Sequence, residues 1–299
     1  MRPKQLLLLF SMSCIALSQG SSSGLSTLKL PTTTFILSTG DAFVADAGIN
    51  SVRSLYINPA NIGSSINHNI LFCHTQWIQN TGIDHLTAML PSKYGNFALS
   101  INNSSVNDIQ LHGNQPGPAI GTFNAQSTLF QLTYALKINE YFIIGLAPKY
   151  IYEKIFIDDA TGYAFDAGVL YTTKIKELQL GLSITNLGKL SAFRTEKVNL
   201  PSQFRIGGTY DFNIEKITCR FASALSYEFN NSKKYFGTGL EAIYNNLLFM
   251  RFGIKTGYYL QNYSLGIGLR YNIFTLDYSY LPFRLQAGNV HSFSFEFTL

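Results

Sequence analysis

The sequence predicts an all-β fold: a transmembrane antiparallel β-barrel of about 14 strands with an N-terminal plug segment. Three observations predict it. Polar and apolar residues alternate in blocks through the last two-thirds of the chain, each block roughly 10 residues long, the span of a tilted membrane strand. Charged residues make up 13% and aromatic residues 14% of the 299 positions, against about 25% charged in soluble domains. After the leader, no stretch of about 20 residues is apolar enough to cross a bilayer as a helix.

The N-terminus carries Arg2 and Lys4, an apolar run from Leu6 to Leu17, and the small-residue site Ala16-Leu17-Ser18. That pattern predicts a signal peptide over 1–18 that is cleaved on export. Cys14 follows Ser11-Met12-Ser13, a poor context for lipidation. Residues 19–67 read differently from the remainder, with Ser- and Thr-rich sequence, then Gly40-Asp41-Ala42-Phe43-Val44-Ala45, then Asn58-Pro59-Ala60. Small residues permit close backbone packing, and Asn-Pro marks a turn. This part is expected to form a plug or hatch, and 68–299 the wall.

Successive side chains of a strand face opposite sides, so one parity meets lipid and the other the lumen. From Ile217 to Glu228, Ile217, Cys219, Phe221, Leu225 and Tyr227 oppose Thr218, Arg220, Ser226 and Glu228. Tyr263 to Tyr271 sets Tyr263, Leu265, Ile267, Leu269 and Tyr271 against Ser264, Gly266, Gly268 and Arg270. In the last block Phe293, Phe295, Phe297 and Leu299 face lipid and Glu296 faces inward. Strands are expected from Asn69 to Gln76 onward through His291 to Leu299, an even number, as bacterial single-chain barrels require.

Turn character assigns sides. Ser92 to Gly95, Asn139-Glu140, Asn213 to Glu215 and Asn245-Asn246 are short and polar, as periplasmic turns are. The links Val106 to Ala125, Phe156 to Gly162, Gly188 to Ser202 and Asn230 to Tyr235 are longer and fall on the opposite, extracellular side. The longest of them reads as a binding lid or a mobile tip.

Inward parity predicts lumen charges at Arg205, Arg220, Arg251, Arg270, Asp277 and Glu296, with Lys137, Lys149, Asp166, Asp211, Glu228 and Lys255 on the same side. Their mixed signs suit either solute selection or ion pairs joining plug and wall. Pro148 lies inside a strand, where it cannot donate a ladder hydrogen bond. It marks either a lateral wall opening or a position near the membrane boundary.

Other classes find little support. The net charge of +5 is spread without a Lys/Arg cluster, so no nucleic-acid binding is expected. Asp84-His85 is the one adjacent acid–His pair, and strand neighbours face opposite sides, so no catalytic residues are expected. No His/Cys/Asp/Glu spacing suits a metal, and no cofactor is expected. Cys73 and Cys219 fall on strands too far apart to bridge.

Several of these segments resemble a known family. Gly40-Asp41-Ala42-Phe43-Val44-Ala45 with Asn58-Pro59-Ala60, then Gly181-Leu182-Ser183-Ile184-Thr185-Asn186-Leu187-Gly188, then Gly288 to Phe295, are similar to signature segments of FadL-type outer-membrane proteins and their PorV/PorQ branch. The resemblance implies a plugged barrel in the outer membrane of a diderm bacterium. It also implies passive passage of hydrophobic small molecules such as fatty acids, or, in the PorV/PorQ manner, an accessory role with type IX secretion components. A structural surface barrel without transport is the third reading. Gly40-Asp41 stands where the family has Gly-Gly, Val290 where it has Thr, and the links are shorter than in full-size FadL transporters.

Overall fold

A computed structural model describes residues 26–48, 51–111, 117–175, 177–192 and 199–299. The expected signal peptide lies outside the described residues. The strands are β1 (Asn69–Gln76), β2 (Thr81–Leu90), β3 (Asn96–Leu111), β4 (Gly121–Lys137), β5 (Phe142–Ile155), β6 (Asp158–Thr172) and β7 (Leu178–Leu190). They continue with β8 (Gln203–Ile214), β9 (Ile217–Glu228), β10 (Lys233–Tyr244), β11 (Leu248–Thr256), β12 (Tyr263–Tyr271), β13 (Phe274–Pro282) and β14 (Asn289–Thr298).

All neighbours are antiparallel, and β1 pairs with both β2 and β14, so the sheet closes without an edge. Closure leaves no strand edge open, the condition for crossing hydrocarbon as sheet. The alternation places the faces as expected. On β12, Tyr263, Leu265, Ile267, Leu269 and Tyr271 are exposed on the outer surface, while Ser264 faces in and is buried. On β13 and β14, Phe274 packs edge-on against Phe297 at 4.8 Å between centroids, an outward aromatic pair of the type found at membrane interfaces.

The links between strands are shorter than expected. β5 and β6 meet across Phe156-Ile157, and β3 and β4 continue to Leu111 and back from Gly121, so most of the expected Val106 to Ala125 lid is strand. Residues 112–116 lie outside the described residues. Similarly, β7 runs on to Leu190 and β10 starts at Lys233. The reason is physical: beyond the apolar band both strand faces meet water, and the alternation that marks a strand disappears although the ladder continues. Together β3 to β6 make a raised flap whose tip exposes Ile120, Ile155, Phe156 and Ile157.

Residues 26–48 and 51–65 fill the lumen. Helix α1 (Thr34–Ser38) is buried at every position, and 3-10 turns occupy Ser51–Ser54 and Pro59–Ser64. Val52, Leu55, Ala60 and Ile62 pack against inward residues of the wall, including Leu71, Met89, Ala98, Ala135, Ile143 and Leu170. Removing those side chains from water is worth about 1.5–3 kcal/mol for each large one.

Candidate functional site

The expected plug motif is a helix cap that also grips the wall. Asn58, fully buried, caps the turn that begins with Pro59; its Oδ1 accepts from the Ala60 N–H at 3.0 Å. Proline at the first helical position costs no hydrogen bond and Asn is among the best caps, which explains the Asn-Pro pair locally. The Asn58 side-chain amide donates to Val44 O at 2.8 Å within the plug and to Val169 O of β6 at 3.2 Å. The motif thereby ties two plug segments to one strand.

Glycines make room for this close approach. Gly145 and Gly168 are cross-strand partners on β5 and β6. A Cβ at Gly145 would stand 2.3 Å from Ala60 N, and one at Gly168 1.9 Å from Asn58 Oδ1. Gly181 receives the Val44 backbone and its β8 partner Gly207 the Val44 side chain, and Gly239 and Gly253, across β10 and β11, receive Thr39 and Gly40. Three glycine pairs thus form seats where plug backbone lies directly on wall backbone.

Buried and partly buried ion pairs also tie plug to wall. Arg53 donates to Glu241 of β10 at 2.7 Å, and Arg220 of β9 donates to Asp46 at 2.7 Å. Lys29 meets Glu228 at 2.5 Å and Asp41 meets Lys255 at 2.6 Å. Glu241 is the hub: it also accepts from Arg220 at 3.2 Å and from Arg251 at 2.8 Å, and Arg251 reaches Asp277 at 2.6 Å. Asp46 is further held by Ser54 Oγ at 2.7 Å, while its own N–H donates to Asn61 at 3.1 Å. Charges this buried persist only when paired and hydrogen-bonded.

Asp211 of β8 joins this hub through Arg220 Nε at 3.2 Å, and the other expected lumen charges hold different partners. Glu296 accepts from Asn69 at 2.8 Å, and Arg270 donates to Thr275 at 3.2 Å. Lys149 pairs with Asp166 at 2.6 Å and donates to Asn186 at 2.9 Å, and Arg205 donates to Thr185 at 2.8 Å and to Gln203. Lys137, on the inward parity, is exposed at the end of β4. Asp84 faces outward and pairs with His74 at 2.7 Å, whereas His85 faces inward, its ring 5.0 Å from that of Tyr56.

Pro148 faces outward on β5 opposite Phe165 of β6. On its other side the β4–β5 ladder runs to Gln131–Lys149 and resumes at Tyr134–Leu146, so Leu132 and Thr133, though paired with β3, lack partners on β5. One strand further, β6 and β7 shift register at Asp166, whose carboxylate accepts the Asn186 N–H at 2.7 Å. The wall is irregular here but covered, since Thr133 and Ala147 are fully buried.

A cavity lies at each end of the plug. One, about 240 Å³, is at the short-turn end and is lined by Arg53, Arg220, Arg270, Ile243 and Phe249 among others. The other, about 50 Å³, lies toward the flap between residues 27–32 and β4, β5, β7 and β8.

This arrangement has counterparts among solved structures. The toluene transporter TodX of Pseudomonas putida superposes with a TM-score of 0.60 at 11% identity, over 89% of this chain and 96% of that one. The deltaS2S3 mutant of the TodX monoaromatic hydrocarbon channel gives 0.55 at 11% identity over 89% and 97%, and the deltaS2 mutant 0.52 at 8% identity over 89% and 97%. The likeness is one of fold. No family model matches the chain, and no curated protein sequence does.

Sequence reasoning missed Glu241, Asp46 and Arg53. Glu241 alternates with Gly237 and Gly239 on the inward parity of β10, so that pattern could have found it. Asp46 and Arg53 lie in irregular backbone without a period, where sequence gives no direction to a side chain.

Proposed function

We propose that this chain is an outer-membrane barrel of a diderm bacterium, exported through a cleaved signal peptide, that passes hydrophobic small molecules such as fatty acids without energy input. The observation that carries the reading is an N-terminal segment with its own caps, seated inside a lipid-faced barrel through ion pairs, glycine contacts and apolar packing. A wall that served only as an anchor would not need its lumen filled by a segment with its own caps and charges. The FadL-like motifs and the TodX-like shape support the same reading. Passage requires the plug to move, because it separates the two cavities. The irregular wall at Pro148 and Asp166 is the proposed exit toward lipid, which an apolar molecule enters without crossing water. Protein in liposomes should take up toluene and oleate faster than protein-free liposomes; equal rates would sink the proposal.

A second reading rests on a different observation. A filled lumen combined with an exposed apolar flap tip at Ile120, Ile155, Phe156 and Ile157 suits a PorV/PorQ-like accessory that holds secretion components or cargo from outside. Affinity purification from the native envelope separates the two: recovery of a secretion translocon, with no solute uptake, favours this reading. Failure of both assays leaves a structural barrel.

A further inference from the structure

Among the described residues, the cavity toward the flap is lined and backed by more cations than carboxylates. Lys29, Asp41, Lys149 and Arg205 line it, together with Thr32, Tyr56, Asn102, Thr185 and Asn186. Behind them stand Glu228, Asp166 and Lys255, each already paired with a lining residue. The four cations in this set therefore face three carboxylates, and the residue left over is Arg205. Among the described residues it makes no ion pair; its bonds go to the neutral side chains of Thr185 and Gln203. An arginine offers five donors, so most of its hydrogen-bonding capacity is open. Thr32 Oγ1 also lines the space, buried and without a hydrogen-bond partner, and one carboxylate oxygen of Asp41 is likewise unpartnered while the other is held by Lys255.

We propose that this chamber is a binding site for one compact oxyanion group, a carboxylate or a phosphate, held between Arg205 and Lys149. The volume of about 50 Å³ suits a small polar group and excludes an alkyl chain. Arg205 supplies a planar fork matched to two oxygens, and Lys149 a point charge. The group would join β5 to β8, and Thr32 Oγ1 donating to it would add a plug–wall tie beside the four ion pairs. The proposal does not depend on solute passage. The oxyanion comes either free from solution or as the head of an amphipath whose tail extends toward the flap.

The test uses the purified full-length protein in detergent micelles. Its unfolding midpoint is followed by heat-modifiable gel migration during titration with inorganic phosphate, butyrate or octanoate, at constant ionic strength made up with chloride. At least one oxyanion should raise the midpoint at millimolar concentration. Arg205→Gln should weaken that response by about tenfold or more, as expected for a lost charge-assisted hydrogen-bond pair, while Lys216→Gln at the exposed β8–β9 turn should leave it intact. Arg205→Lys, which keeps the charge and loses the fork, should respond between the two. Octanoate outperforming butyrate assigns the site to an amphipath head; phosphate or butyrate binding as well as octanoate assigns it to a free ion. No oxyanion-dependent shift, or an equal shift in Arg205→Gln, overturns the proposal.

Discussion

Arg53 in the plug donates to Glu241 in β10 at 2.7 Å, and Glu241 is fully buried among three arginines. One carboxylate therefore holds the plug against the wall and keeps Arg220 and Arg251 oriented. Glu241→Gln keeps the shape and removes the charge, leaving three guanidinium groups without their shared partner. Breaking a buried pair in this way costs about 3–5 kcal/mol. The unfolding midpoint in detergent should drop accordingly, and the plug should become sensitive to protease before the barrel unfolds. A variant as stable and as protected as wild type would show that the hub does not hold the plug.

Seats and outer wall should respond oppositely to the same small change. Gly168→Ala would place a Cβ 1.9 Å from Asn58 Oδ1, so the cap and its bond to Val169 must shift. Overpacking of this sort costs about 1–3 kcal/mol. Gly208→Ala points outward, where the nearest atom is the end of the flexible Leu180 side chain at 3.0 Å. Hydrogen exchange should rise across 54–64 in the first variant and stay unchanged in the second.

The strands were legible where the membrane dictates them. Asn69 to Gln76 and Tyr263 to Tyr271 match β1 and β12 residue for residue, because lipid on one face and a polar lumen on the other force a period of 2. Above the apolar band that constraint ends, so the extensions of β3 to β6 read as loops. The inward position of Arg220, Arg251 and Asp277 followed from parity, but their partners did not. Parity fixes a side, whereas pairing depends on where irregular plug backbone delivers Asp46 and Arg53.

The outer face itself is testable. Ile267, at the middle of β12, is half-exposed on the apolar surface. Ile267→Arg should cost about 2–4 kcal/mol when the protein folds into bilayers, the penalty for arginine near the midplane of a barrel. Folding into vesicles followed by urea titration measures it. A neutral effect there would mean that this face does not meet hydrocarbon.

Pro148 separates a structural irregularity from an exit. Pro148→Ala restores a backbone donor at the gap in the β4–β5 ladder beside Leu132 and Thr133. Stability should hold or rise slightly, and uptake of an apolar solute should fall severalfold. Unchanged uptake would place the exit elsewhere.

If the seated plug closes the barrel and must leave its seat for solutes to pass, locking it in place stops passage. Thr34 Oγ1 on α1 lies 3.4 Å from the buried Cys73 Sγ on β1, so Thr34→Cys in a Cys219→Ser background places two thiols within reach of a disulfide. Uptake of toluene into liposomes should be blocked after oxidation and restored by reductant. Equal uptake by the oxidised and reduced protein, with the cross-link confirmed by mass spectrometry, would mean that solutes pass without movement of the plug.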